Sequence, residues 1–153
     1  MRIIGFLQQE DIVPSLSAGT KDEVLAELAA KVEERHPGLN RTEVLRILQE
    51  RERLGSTGIG DGVSIPHGKL RQAGELVMAF GRSRAGVEFN ALDGRPVHFF
   101  FLLVAPDDAV GMHLKMLARI SRILKDPAVR KALMEAPDAA AIHAIIREQD
   151  NRY

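Results

Sequence analysis

A single-domain α/β sandwich over residues 1–153, built on a mixed β-sheet flanked by helices on both faces, is the fold class this sequence predicts, on three observations. Strand-like and helix-like segments intersperse along the chain, with no internal repeat and no low-complexity linker. One run, Val97 to Val104, is apolar at both alternating sets of positions, the pattern of a central strand covered from both sides. The 153 residues, 45% apolar and 27% charged, match the size of one ordinary core. A chain of this length buries roughly 68–70% of its unfolded surface and needs no metal or disulfide staple.

Each element follows in order. A short strand is predicted at Ile12 to Leu16. Thr20-Lys21-Asp22-Glu23 is a capping box, in which the threonine hydroxyl and the glutamate carboxylate satisfy free amides at a helix start. Val24, Leu25, Leu28, Ala29 and Val32 then make one apolar stripe, ended by His36-Pro37-Gly38. Asn40 through Glu43 repeats the start signal, and Val44, Ile47 and Leu48 carry a second helix to Leu54-Gly55. Glycines at 55, 58, 60 and 62 break regular structure there, and Val63-Ser64-Ile65 reads as a short buried strand before Pro66 and a turn at His67-Gly68. Leu76 to Gly81 and Val97 to Val104 are the clearest strands, with a shorter one at Val87 to Phe89. Helical period returns from about Val110 to Leu124. Asp126-Pro127 supplies an N-cap and a proline at the first helical position for a short helix to Met134. Asp138 caps the last helix, whose apolar face is Ile142, Ile145 and Ile146.

Composition removes several function classes. There is no cysteine, hence no thiol nucleophile, no cysteine-ligated zinc and no disulfide, which fits a reducing cytoplasm. Twenty-one Lys and Arg against twenty-one Asp and Glu leave a net charge of +0, so no basic field exists to hold a nucleic acid. The N-terminal apolar stretch turns polar at Gln8-Gln9-Glu10, too early for a signal peptide. The longest apolar run, Phe99 to Ala105, falls far short of the ~20 residues of a membrane span. The expectation is a soluble cytoplasmic protein with no nucleic-acid or membrane partner.

The segment Gly55-Ser56-Thr57-Gly58-Ile59-Gly60-Asp61-Gly62 lacks both the Gly-Lys-Ser/Thr ending of a P-loop and the spacing of G-x-G-x-x-G, and it precedes a strand where those motifs follow one. It reads instead as a tightly turning approach to His67. That histidine stands after a strand and a rigid proline and before Gly68, where neighbouring backbone can come close. Arg51 lies four residues after Ile47 and seven after Val44, on the inward stripe of its helix, where a guanidinium must snorkel or pair with an anion. His113 falls in line with Met116, Leu117, Ile120 and Leu124. Taken singly, Arg51 also reads as a complement to the helix dipole and His113 as a satisfied core histidine. Together, two imidazoles and a guanidinium around one cleft suit a phosphoryl group carried on nitrogen, because imidazole is nucleophilic near neutral pH and arginine forks onto phosphate oxygens. No metal-ligand spacing exists, so a metal hydrolase, the weaker alternative, would have to gather Asp61, His67 and His113. His36, His98 and His143 read as structural.

The run Arg51-Glu52-Arg53-Leu54-Gly55-Ser56-Thr57-Gly58-Ile59-Gly60-Asp61-Gly62-Val63-Ser64-Ile65-Pro66-His67-Gly68-Lys69 resembles the enzyme IIA domain of the bacterial phosphoenolpyruvate-dependent phosphotransferase system, fructose/mannitol type, and within it the nitrogen-regulatory branch. The resemblance extends over nearly the whole chain, including Pro96-Val97 to Pro106 and the helix of His113. It implies an α/β sandwich, His67 as the phosphorylated histidine, His113 as a supporting histidine and Arg51 as a holder of the phosphoryl group. It also implies a histidine-phosphorylated, HPr-like carrier as donor and no cofactor. Downstream it implies regulatory targets or, in sugar transport, a separate enzyme IIB. Leu114 and Lys115 beside His113 do not separate transport from regulation.

Overall fold

The computed structural model describes residues 2–153. Its six strands are β1 (Ile12–Val13), β2 (Gly58–Gly60), β3 (Val63–Ser64), β4 (His67–Lys69), β5 (Val77–Val87) and β6 (Val97–Ala105). The helices are α1 (Lys21–Arg35), α2 (Arg41–Arg53), α3 (Val110–Leu124), α4 (Pro127–Glu135) and α5 (Ala139–Asn151). The caps act as their residue types require. Thr20 and Glu23 close the capping box of α1, and the Asn40 side chain accepts from the amides of Thr42 and Glu43. Asp126 and Asp138 start α4 and α5 in the same way.

The sheet is mixed and runs β1-β5-β6-β3-β2, with β4 paired to β6 alone. β5 and β6 are antiparallel, whereas β3 and β4 both run parallel to β6. Alternate residues of β6 serve two apolar layers. Phe99, Phe101 and Leu103 face a layer built with α3, α4 and α5, and Phe100, Leu102 and Val104 face one built with α1 and α2. This is the expected arrangement of helices on both faces, with the central strand where its double apolar pattern puts it.

Four details differ from the sequence reading. The turn expected at His67-Gly68 is strand. Val63 pairs with Phe99 and His67 with Leu103, so β3 and β4 keep one register along β6 and are one strand interrupted at Ile65-Pro66. Pro66 has no N–H to give, yet its carbonyl still accepts from the Leu103 amide at 2.9 Å. The glycine segment, expected to hold no regular element, contains β2. Gly60, Asp61 and Gly62 all have positive φ, and this turn folds β2 back onto β3. The strand expected at Val87 to Phe89 is the end of β5, which runs on through Arg82-Ser83-Arg84. Arg82 is buried there, and its guanidinium donates to the carbonyls of Pro14, Leu133 and Ala136. The strand expected at Ile12 to Leu16 stops at Val13, because Pro14 cannot continue the ladder.

Candidate active site

β4 is short and borders the sheet, since no strand pairs with its outer edge. Gly68, its central residue, sets how near α2 can come. A Cβ there would lie 2.9 Å from Cδ1 of Ile47, so any larger residue would force the Ile47 side chain to give way for α2 to stay this close. One turn after Ile47, α2 presents Arg51. From the other layer α3 presents His113. The two helices thus close over the β4 edge from opposite faces, and His67 lies between them in a cavity of about 430 Å³. Ile47, Arg51, His67, Lys69, His113 and Leu114 are among its walls.

His67 is half-buried, with Nδ1 2.8 Å from the Ile65 carbonyl oxygen. A carbonyl only accepts, so in the neutral ring Nδ1 carries the proton and Nε2 keeps its lone pair. Burial pushes the His67 pKa down, the nearby Arg51 charge pushes the same way, and the Ile65 carbonyl and the Glu52 carboxylate oppose them. His113 is buried, and its ring meets that of His67 edge-on, with centroids 5.2 Å apart and planes at 82°. Burial first, then His67 and Lys69, hold the His113 pKa down at about 4, so the ring is neutral at physiological pH. Its Nδ1 is, among the described residues, the one buried side-chain nitrogen or oxygen without a hydrogen-bond partner. Arg51 donates to the Gly55 carbonyl at 2.8 Å, just beyond the end of α2. The guanidinium thus completes the helix end, as the helix-dipole reading has it, and it also lines the cavity.

The three residues singled out by pattern are together. Asp61 is not with them. It is exposed, its amide is held by the Asp93 carboxylate, and among the described residues no three His, Asp or Glu side chains gather to hold a metal. His98 and His143 each bond to a backbone carbonyl, of Ser83 and Leu7. Sequence reasoning missed Glu52, whose carboxylate is buried behind the glycine segment. A signal was present, because an acidic side chain in the last turn of a helix opposes the helix dipole and must find its compensation elsewhere. It also missed the exposed apolar residues Leu54, Val110 and Leu114 around the cavity mouth.

Residues 5–149 match the family model of the phosphoenolpyruvate-dependent sugar phosphotransferase system, EIIA 2. The chain belongs to this family. A nitrogen regulatory protein of Bradyrhizobium diazoefficiens is 42% identical over 146 residues, covering 95% of each chain. The fructose-specific EIIABC component of Bacillus subtilis is 34% identical over 150 residues, which are 98% of this chain and 24% of that protein. The crystal structure of the nitrogen regulatory protein IIA-Ntr from Neisseria meningitidis superposes with a TM-score of 0.89 at 35% identity, over 94% of this chain and 98% of that one. The enzyme IIA of mannitol from Escherichia coli, solved in complex with phosphorylated enzyme IIB, shares the fold with a TM-score of 0.77 at 18% identity, over 93% and 97% of the two chains. Among the described residues, no helix is long and apolar enough to cross a membrane.

Proposed function

We propose that this EIIA 2 chain is a cytoplasmic phosphocarrier that accepts a phosphoryl group on Nε2 of His67 from a histidine-phosphorylated, HPr-like carrier protein, and that its output is regulatory. The observation that carries this reading is the Nδ1 contact to the Ile65 carbonyl, which leaves the other ring nitrogen as a lone pair beside Arg51 and His113. In the transfer the donor's P–N bond breaks as the P–Nε2 bond forms. The Nδ1 proton stays where it is, and the positive charge that the ring acquires is met by the Ile65 carbonyl. Arg51 takes the charge on the phosphoryl oxygens, and neutral His113 offers them a hydrogen bond. Catalysis is then positioning and charge stabilisation, and no nucleotide or cofactor is required.

The apolar residues at the cavity mouth support a protein as donor, because a small anion has no use for them whereas a docking partner buries them. The nitrogen regulatory proteins among the relatives support the regulatory output. A second reading, transfer onward to a separate enzyme IIB, is favoured by the likeness to the fructose-specific component and to the mannitol enzyme captured with its enzyme IIB. Incubation with phosphoenolpyruvate and the general carriers is expected to give one acid-labile phosphohistidine, absent in His67→Ala. Phosphate mapped to another residue overturns the assignment. Rapid passage of the phosphate to an enzyme IIB protein, with no change of binding partners on phosphorylation, selects the second reading.

A further inference from the structure

Glu52 follows Arg51 in the last turn of α2, but its side chain turns inward and is only 6% exposed. It accepts from Lys21 Nζ at 2.9 Å, from the Thr57 amide at 3.1 Å and from the Thr57 hydroxyl. Because a carboxylate only accepts, the Thr57 proton is committed to it, and the buried Ser64 hydroxyl, 3.0 Å away, must donate to Thr57. The Thr57 carbonyl in turn accepts the Ile65 amide at 3.1 Å, and the Ile65 carbonyl accepts the Nδ1 proton of His67.

We infer that Glu52 is a positioning residue for His67, which through Thr57 and the backbone of Ile65 holds the imidazole in the tautomer that leaves Nε2 free. This rests on the proposed role of His67. Two observations favour it over a purely structural bond. A largely desolvated carboxylate–ammonium pair adds little stability that a well-packed apolar pair would not, so stability alone does not account for a charge at this place. Its hydrogen bonds also lead, without a gap, to the one backbone acceptor that fixes the His67 proton.

The charged and titratable groups around His67 are Glu50, Arg51 and Glu52 on α2, His113 on α3 and Lys69 on β4, with Lys21 of α1 paired to Glu52 and Glu50 paired to Arg46. Of the two carboxylates, Glu52 is the one whose charge acts on the ring, so its neutralisation leaves His67 to Arg51 and lowers the pH at which it protonates.

The test is nitrogen NMR of the His67 ring in the unphosphorylated protein across pH, beside the rate of phosphoryl acceptance. Glu52→Gln is expected to lower the titration midpoint of His67 and to slow acceptance roughly tenfold, the effect of one lost hydrogen bond to a charged group. Thr57→Val is expected to populate the Nε2-protonated tautomer, and Thr57→Ser to restore the wild-type spectrum. Wild-type nitrogen shifts, midpoint and rate in folded Glu52→Gln overturn the proposal. Should that variant not fold, the Thr57 pair decides, and identical His67 spectra for valine and serine overturn it equally. The NMR reading needs no phosphorylation, so a phosphate found elsewhere than His67 would sink the site assignment and leave the result on Glu52 standing.

Discussion

His113 is an imidazole placed where it cannot easily be charged. In the unfolded chain it titrates near its ordinary value of 6.5, in the folded protein at about 4. Between those values the unfolded state binds the extra proton, so stability from this group is complete above about pH 6.5 and is lost as pH falls toward 4. Urea melts at pH 7 and pH 5 are expected to show this loss in the wild type and a flatter dependence in His113→Gln. An equal loss in both would place the acid sensitivity elsewhere. Arg51 differs in kind, since its guanidinium has a backbone partner already, and in the proposed transfer it meets the phosphoryl group only when that arrives. If its contact is made in the transition state, Arg51→Ala should slow transfer by about 10- to 150-fold, the equivalent of about 1.5–3 kcal/mol, while the melting temperature changes little. Lysine should restore the charge but not the forked contact. Normal transfer rates in Arg51→Ala would reduce this residue to a helix-end ligand. Arg51 and His113 were legible in the sequence because each is a polar residue on an apolar stripe. Glu52 left only the weaker trace of an acidic residue in the last turn of a helix, since charged residues at a helix end look like a solvated face and its partners Lys21 and Thr57 lie outside that helix.

At the scale of elements, the helices were read closely because capping residues and 3.6-residue stripes are local signals, and Thr20, Asn40, Asp126 and Asp138 all cap as their chemistry dictates. The strands were harder. β4 is three residues, His-Gly-Lys, with no apolar alternation, and it is a strand because β6 offers a ladder and the register continues past Pro66. β2 is Gly-Ile-Gly and owes its pairing to the positive-φ turn at residues 60–62. Neither could be seen without its partner, and β4 is the element that carries His67. Its fit against α2 is testable at Gly68. Gly68→Ala drives a methyl into the end of the Ile47 side chain, which can yield only in part, so a loss of about 1–3 kcal/mol is expected along with slower phosphoryl acceptance as α2 and Arg51 are pushed outward. Ile47→Val removes the clashing atom and should recover much of both losses in the double variant. Additive losses would show that α2 is not held by this contact.

Across the whole molecule, the site exists because two layers meet at an open sheet edge. Arg51 comes from the layer of α1 and α2, His113 from the layer of α3, α4 and α5, and they converge where β4 has no outer neighbour to hide the imidazole. That convergence depends on strand order, which no local pattern encodes, so residue patterns could nominate the three residues, whereas it was the family resemblance that implied one shared site. It also explains the apolar mouth. Leu54 caps the end of α2, and Val110 and Leu114 lie in the first two turns of α3, so these side chains overhang the cavity without packing onto either layer. Leu114 is 61% exposed, so Leu114→Glu should leave stability unchanged. If the mouth is where the phosphorylated carrier docks, this change should raise the KM for the carrier by about five- to thirty-fold, corresponding to about 1–2 kcal/mol, with kcat for the transfer little altered. Leu92→Glu is the matching control, because Leu92 is 80% exposed and lies outside the cavity. Steady-state transfer with both variants decides the matter: a rise in KM confined to Leu114→Glu places the docking surface at the cavity mouth, whereas unchanged or equally weakened kinetics would move it elsewhere on the protein.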